Sequence, residues 1–447
     1  MARVAWFSPM PPARTGVAVY SEEVVAALRQ EHHIDVYVDE PIVSARTERH
    51  SFIRSAHDFV WRHQREPYDL TVFQLGNSSA HDYEWAYLFR YPGLVVLHDV
   101  HLHHARASVL LRQRRAADYR AEFVANGPDV RVDLAELAVA GFDSHLYYRW
   151  PMTRLIALAS RMIAVHSPIM AEELEAETGR AVETIRMAHG NRVEEDRIGE
   201  ASGRVRERHG FAADAVVFGA FGGLTPEKRV PQVISAFAAL LPYAPGARLL
   251  LVGEPVAYCD VRSLVEELGI QDHVVLTGYV RDDEAFSEYV AGCDVSINLR
   301  WPTAREVSGP WIRALAAGRP TITMDLAHTA DVPALDPRTW SANDPAASPV
   351  TVSIDIVDED HSLRLAMRRL ATDAQLRARL GRAAAAHWER EHSMHRMLDD
   401  YRRVLDRAVK APIPTPDLPA HLHARAVDRL DELLVPFGLG PEVWSKI

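Results

Sequence analysis

Residues 306–322 read EVSGPWIRALAAGRPTI: a carboxylate, a Ser-Gly-Pro turn, an apolar helical run, a Gly-Arg-Pro stop and a β-branched strand. Ser308 can cap the helix, and Pro310 falls in its first turn, where a missing N–H costs little. Gly309 lets a ligand come close to the backbone. The open N–H groups and the helix dipole favour an anion such as phosphate at that end. An ordinary capped helix in a βαβ unit would look the same, so the surrounding chain has to decide.

Outward from this stretch, short apolar runs alternate with helical patterns. On its N-terminal side the order is AVVFGAFG, the helix PQVISAFAALL, ARLLLVGE, the helix VRSLVEELG, HVVLTG, the helix DEAFSEYVAG and DVSINLR; PTITMD follows it. The first part of the chain repeats the scheme. Val4–Phe7, IDVYV, LTVFQL, LVVLHD and RMIAVHS read as strands, with helices over SEEVVAALRQ, around FIRSAHDFVWRHQ and over PIMAEELEAETG. Such alternation predicts parallel sheets covered by helices on both faces, and ligands then bind outside the carboxyl ends of the strands.

The expected fold class is α/β, with two doubly wound Rossmann-like domains facing across a cleft. A mostly helical insertion, rich in Arg and Tyr, occupies about 100–160. The polar, glycine-punctuated segment 189–210 interrupts the alternation and is read as the domain link. The expected domains are therefore 1–195 and 196–392, with a helical return and tail over 393–447. After Val350 the pattern reads as helix to about Lys410. The proline-rich APIPTPDLPAHLH then leads to one last short helix.

Composition sets limits on function. The 447 residues carry a formal net charge of -11, which disfavours nonspecific nucleic-acid binding. Cys259 and Cys293 are the two cysteines, which argues against a disulfide scaffold and fits a reducing compartment. No apolar run reaches the ~18 residues of a membrane span. The expectation is a cytoplasmic protein, with peripheral contact at the inner face of the membrane left open.

Other stretches carry charge where a ligand would sit. FGGLTPEKRV places Lys228 and Arg229 at a helix start, where cations oppose the dipole but could neutralise a pyrophosphate. PPARTGVAVYSEE puts Gly16 just before a helix. LVVLHDVHLHH brings His98 to a strand's carboxyl edge. His101, His103 and His104 suggest a metal, but their spacing is wrong for zinc motifs and they point different ways. Asp358-Glu359-Asp360 reads as a helix's first turn rather than a metal site. The segment HARASVLLRQRRAADYR reads as a solvated helix face, with contact to a lipid headgroup or glycan as the other reading.

Together, the glycine loop, His98-Asp99, FGGLTPEKR, LLLVGE, LTGYV and LRWPTAREVSGPWIRALAAGRPTI resemble retaining glycosyltransferases of family 4, which have the GT-B fold. The resemblance runs over about residues 3 to 409. It implies a nucleoside-diphosphate-sugar donor on the C-terminal domain, an acceptor on the N-terminal one, and no metal or other cofactor. It implies Gly16 under the donor pyrophosphate, His98 near the reacting sugar carbon, Lys228 on the leaving phosphates and Glu306 on the donor sugar. It further implies that Ser308 and Gly309 meet sugar and phosphate, and that Gly278, Tyr279 and Val280 lie beside the base. Two positions depart from the pattern. The family's second glutamate falls on Ala314, and its arginine falls on Gly223; Arg229 and Arg300 are the candidate substitutes. Losing one such preorganised donor can cost ~3 kcal/mol of transition-state stabilisation.

The expected function is transfer of a sugar to a glycan, a lipid-linked glycan or a small molecule. The rival readings are another GT-B enzyme, such as a nucleotide-sugar epimerase or a glycoside phosphorylase, and a non-catalytic glycosyltransferase-like partner protein.

Overall fold

The structure, a computed structural model, describes residues 1–39, 51–127, 133–142, 146–326, 329–423 and 435–438. The chain divides into two compact units, 1–165 with 171–183 and 403–447, and 166–170 with 184–402. The division falls twelve residues before the expected 195/196 and ten after the expected 392/393.

The first unit is built on β1 (Arg3–Phe7), β2 (His33–Val38), β3 (Ile53–Ser55), β4 (Leu70–Leu75), β5 (Leu94–Leu97), β6 (Met162–Val165) and β7 (Val182–Thr184). Their spatial order is β3-β2-β1-β4-β5-β6-β7, with parallel pairing from β3 to β6. The central strands are predominantly apolar because helices cover both faces, and β4 and β5 are buried at every residue. The strand order reverses between β1 and β4, the kind of switch point that opens a crevice at the strands' carboxyl ends. The expected helix around 52–64 begins only at Phe59; Ile53–Ser55 pairs instead with β2 as an edge strand.

The second unit contains β8 (Val217–Phe221), β9 (Arg248–Val252), β10 (Val274–Leu276), β11 (Val295–Asn298), β12 (Thr321–Met324), β13 (Ala334–Leu335) and β14 (Thr351–Ile354). Their order is β10-β9-β8-β11-β12-β14-β13, parallel throughout. Successive side chains enter opposite cores. Phe218, Leu249 and Leu251 join the cluster with Phe237 and Leu370, while Val217, Phe221, Leu250 and Val252 join the one with Val205 and Tyr289. Here the order reverses between β8 and β11.

Two expectations are corrected in this unit. Residues 189–210 do not form a link: Glu195–His209 is a helix that buries only Ala201 and Val205 and, apart from the half-buried Ile198, is mostly polar. So sparse an apolar stripe is a weak helical signal. Residues after Val350 are not helical throughout either, since Thr351–Ile354 completes the sheet as β14 before the helices Glu359–Thr372, Ala374–Glu391 and Met394–Lys410. In the tail, Ala420–His423 is helical, and the expected last helix lies mostly outside the described residues. Among the described residues no helix is long and apolar enough to cross a membrane.

Candidate active site

The site is built where the second sheet changes direction. β8 ends at Phe221 and the chain turns through Gly222 at φ 85°. A Cβ on Gly222 would stand 2.4 Å from the Lys228 amine, so only glycine gives both the backbone angle and the room. Thr225 caps the short turn Pro226–Lys228 by accepting from the Lys228 N–H at 3.4 Å. The half-buried Lys228 then folds back, and its Nζ donates to the Phe221 carbonyl at 2.7 Å.

The second wall comes from the end of β11 and the loop after it. The Trp301 N–H donates to the Glu227 carbonyl at 2.7 Å, tying this loop to the Lys228 turn. Arg300 pairs through Nε with Glu306 Oε1, and Glu306 Oε2 accepts from the Thr303 hydroxyl at 2.9 Å. Arg229 and Arg305, each adjoining one of these site residues in the chain, hold φ of 58° and 59°. Left-handed backbone at non-glycine residues is uncommon and gathers where a loop is held in a required shape. Ser308 caps the helix Gly309–Ala316 as expected, accepting from the Trp311 N–H at 3.4 Å, with Pro310 in the first turn.

Lys228, Arg300, Glu306 and Ser308 line one cavity at the carboxyl ends of β8, β11 and β12. Asn298, Thr323 and Thr329 also line it. These three lack a sequence signal, because isolated Asn and Thr at strand ends and in loops resemble ordinary turn residues. Burial, and then the like charge of Arg300, push the Lys228 amine down to about 7, with Glu306 acting the other way. The group therefore sits near the point where it gains or loses its charge at neutral pH. An arriving anion would draw it back to the ammonium.

Not every candidate gathers here. Arg229 does not line the cavity: its Nε and Nη2 bond to Glu359 in the first turn of the helix Glu359–Thr372. Gly309 follows Ser308 as the first helical residue, and a Cβ there would stand 3.0 Å from His189 Cδ2. Gly278, at φ 69°, and Tyr279 lie after β10, outside the cavity lining, with the Tyr279 N–H donating to Glu254 at 3.2 Å. Val280 packs against the cluster around Phe221 and Val252. Ala314 is fully buried in that same cluster, so the position of the family's second glutamate is core here, and a carboxylate would be costly to bury there. Gly223 is exposed.

In the first unit, His98 follows β5 and is buried. Its N–H donates to the Leu75 carbonyl at 2.8 Å, its Nε2 lies 2.8 Å from Gln74 Oε1, and its ring meets the edge of Tyr20 at 4.7 Å. Gly16 opens the helix Gly16–Leu28, capped by Thr15, and a Cβ there would meet nothing within 4 Å. The neighbouring histidines diverge. His103 bridges the Trp150 carbonyl and the Tyr119 hydroxyl, and burial lowers it to about 4, while His104 packs on Tyr147. Among the described residues no three acidic, imidazole or thiol side chains gather as a metal site requires. Four of the five arginines of 104–120 are paired with carboxylates: Arg106 with buried Glu122, Arg112 with Asp82, Arg115 with Asp118 and Arg120 with Glu136.

Residues 215–346, which contain this cavity, match the family model described as Glycosyl transferases group 1. Over 124 residues the chain is 31% identical to EpsD of Bacillus subtilis (strain 168), assigned as a glycosyltransferase. That match takes in 27% of this chain and 31% of EpsD, so the chain's likeness spans about a third of this curated relative's length. The fold likeness covers far more. The structure of Anabaena Alr3699/HepE in complex with UDP-glucose has a TM-score of 0.63 at 14% identity, over 91% of this chain and 100% of that one. Sucrose-phosphate synthase from Thermosynechococcus elongatus has a TM-score of 0.63 at 15% identity, over 92% and 100%. The second unit thus carries a glycosyl transferases group 1 domain. The whole chain has the two-sheet GT-B fold of glycosyltransferases.

Proposed function

We propose that this protein transfers a sugar from a nucleoside-diphosphate donor to an acceptor, with retention of configuration and without a divalent metal. One observation carries the reading: Lys228, Glu306 and the Ser308-capped helix end line a single cavity at the carboxyl edge of a parallel sheet. In this proposal the sugar–oxygen bond lengthens first, leaving an oxocarbenium-like centre and a growing negative charge on the leaving phosphate. Lys228 and the helix amides hold that charge, as a preorganised anion site does. Glu306, fixed by Thr303, orients the sugar. For His98, in the first unit, we keep the family role of a group at the reacting sugar carbon. Retention, metal independence and the role of His98 rest on the resemblance to family 4.

The test is incubation of the full chain with a panel of nucleotide sugars, with and without chelator. UDP-glucose, the molecule named with HepE, heads the panel. Donor hydrolysis or transfer that survives the chelator supports the proposal. Isomerised donor would indicate an epimerase, and binding without turnover a partner protein. Lys228→Ala should cut turnover by a factor of about 10² to 10³, the usual loss when one oxyanion donor is removed. Unchanged turnover would take Lys228 out of the leaving-group role.

A further inference from the structure

We propose that Arg300 is the second cation for the leaving diphosphate, standing in for the arginine absent at 223, and that Glu306 holds it in place until the diphosphate displaces the carboxylate. The inference rests on the donor reading above and goes further by naming the residue that completes the site.

Among the described residues, two cations, Lys228 and Arg300, line the cavity. The other sequence candidate, Arg229, is already committed to Glu359, and Gly223 has no side chain to offer. Arg300 reaches the cavity from the end of β11, whereas the family pattern would bring its arginine from the turn after β8. The Trp301–Glu227 hydrogen bond joins these two places, so a cation from either wall can serve one ligand. Arg300 and Lys228 line the same cavity, and the charge of the one is felt at the amine of the other.

The way Arg300 is held matters. Its contact with Glu306 runs through Nε, and among the described residues no hydrogen bond is recorded from its two Nη nitrogens. A guanidinium presents a planar fork suited to two phosphate oxygens. A diphosphate brings more negative charge than one carboxylate, and so can compete for the fork. Glu306 would keep the bond from Thr303 when Arg300 leaves, and so stay in place for the sugar.

The test uses inorganic pyrophosphate, which has neither base nor sugar, titrated calorimetrically into the full chain. Arg300→Ala should weaken pyrophosphate binding at least tenfold. Arg300→Lys should recover part of the loss, since it restores charge without the fork. Compared at pH 5.5, where Lys228 keeps its charge in both proteins, Glu306→Gln should tighten binding severalfold, because the anion no longer has to displace a carboxylate. A merely structural ion pair would instead weaken binding in both the Arg300→Ala and Glu306→Gln proteins, together with a lower melting temperature. Wild-type affinity in Arg300→Ala, or weaker binding in Glu306→Gln, overturns the inference. Should Arg300→Ala not fold, Arg300→Lys and Glu306→Gln decide. A wild-type protein that binds neither pyrophosphate nor UDP, GDP or ADP overturns the donor reading itself, whereas loss of the Arg300 effect alone leaves that reading standing.

Discussion

Lys228 shows how one side chain couples shape to charge. Its amine is folded back onto the Phe221 carbonyl beneath a glycine that leaves it room, and burial holds it down to about 7. A bound diphosphate would raise it again, so binding above neutral pH should take up a proton. The sign follows directly. The charged amine is the binding form, and as pH rises through about 7 the empty site loses it. Donor or pyrophosphate affinity should therefore fall about tenfold per pH unit above 7. Calorimetry in buffers of different ionisation enthalpy would count the proton, and a flat pH profile from 7 to 9 would show that Lys228 stays charged when empty. Lys228, Glu306 and Ser308 were legible in the sequence because each belongs to a local strand-loop-helix motif. The choice between Arg229 and Arg300 was not, because the partner that removes Arg229, Glu359, is 130 residues away.

Among the elements, the helix Gly309–Ala316 is the one whose end matters most. It is only eight residues long, too short to be stable by itself, and it depends on its cap and on the burial of Trp311, Ile312 and Leu315. Ser308→Ala should cost about 1 kcal/mol of stability, the usual worth of such a cap. It should also raise the donor KM more than it lowers kcat, since the helix amides would lose their alignment. Chemical denaturation alongside steady-state kinetics would check both, and a stability loss with unchanged KM would separate the helix end from the donor. This element was read correctly because its cap, proline and glycine stop are all local signals. Two strands were misread for the opposite reason. Ile53–Ser55 and Thr351–Ile354 are three and four residues long, and each becomes a strand only because a neighbour, β2 or β12, offers an open edge.

At the scale of the whole molecule, the C-terminal helix returns to the first unit. The division between the units falls within Met394–Lys410. Beyond it, Arg161 at the start of β6 donates to the carbonyls of Val409 and Ala411 at 2.8–3.0 Å. Arg403 and Arg407 both pair with Glu183 at β7, and His421 reaches the buried Glu122 at 2.8 Å. Arg161→Ala leaves those carbonyls without their charged donor and should cost about 2 kcal/mol. Limited trypsin digestion should then cut at Arg407 or Lys410 markedly faster than in the wild type; equal cutting would show that the Glu183 and Glu122 contacts hold the return without Arg161. The alternation of apolar runs and helical patterns, written in nearest-neighbour periodicity, was enough to determine two parallel α/β sheets and the Ser308-capped helix end. Which unit each terminal segment joins, which arginine enters the cavity, and that position 314 is core were decided only by tertiary structure. Each depends on contacts between residues far apart in the chain, which no local pattern records.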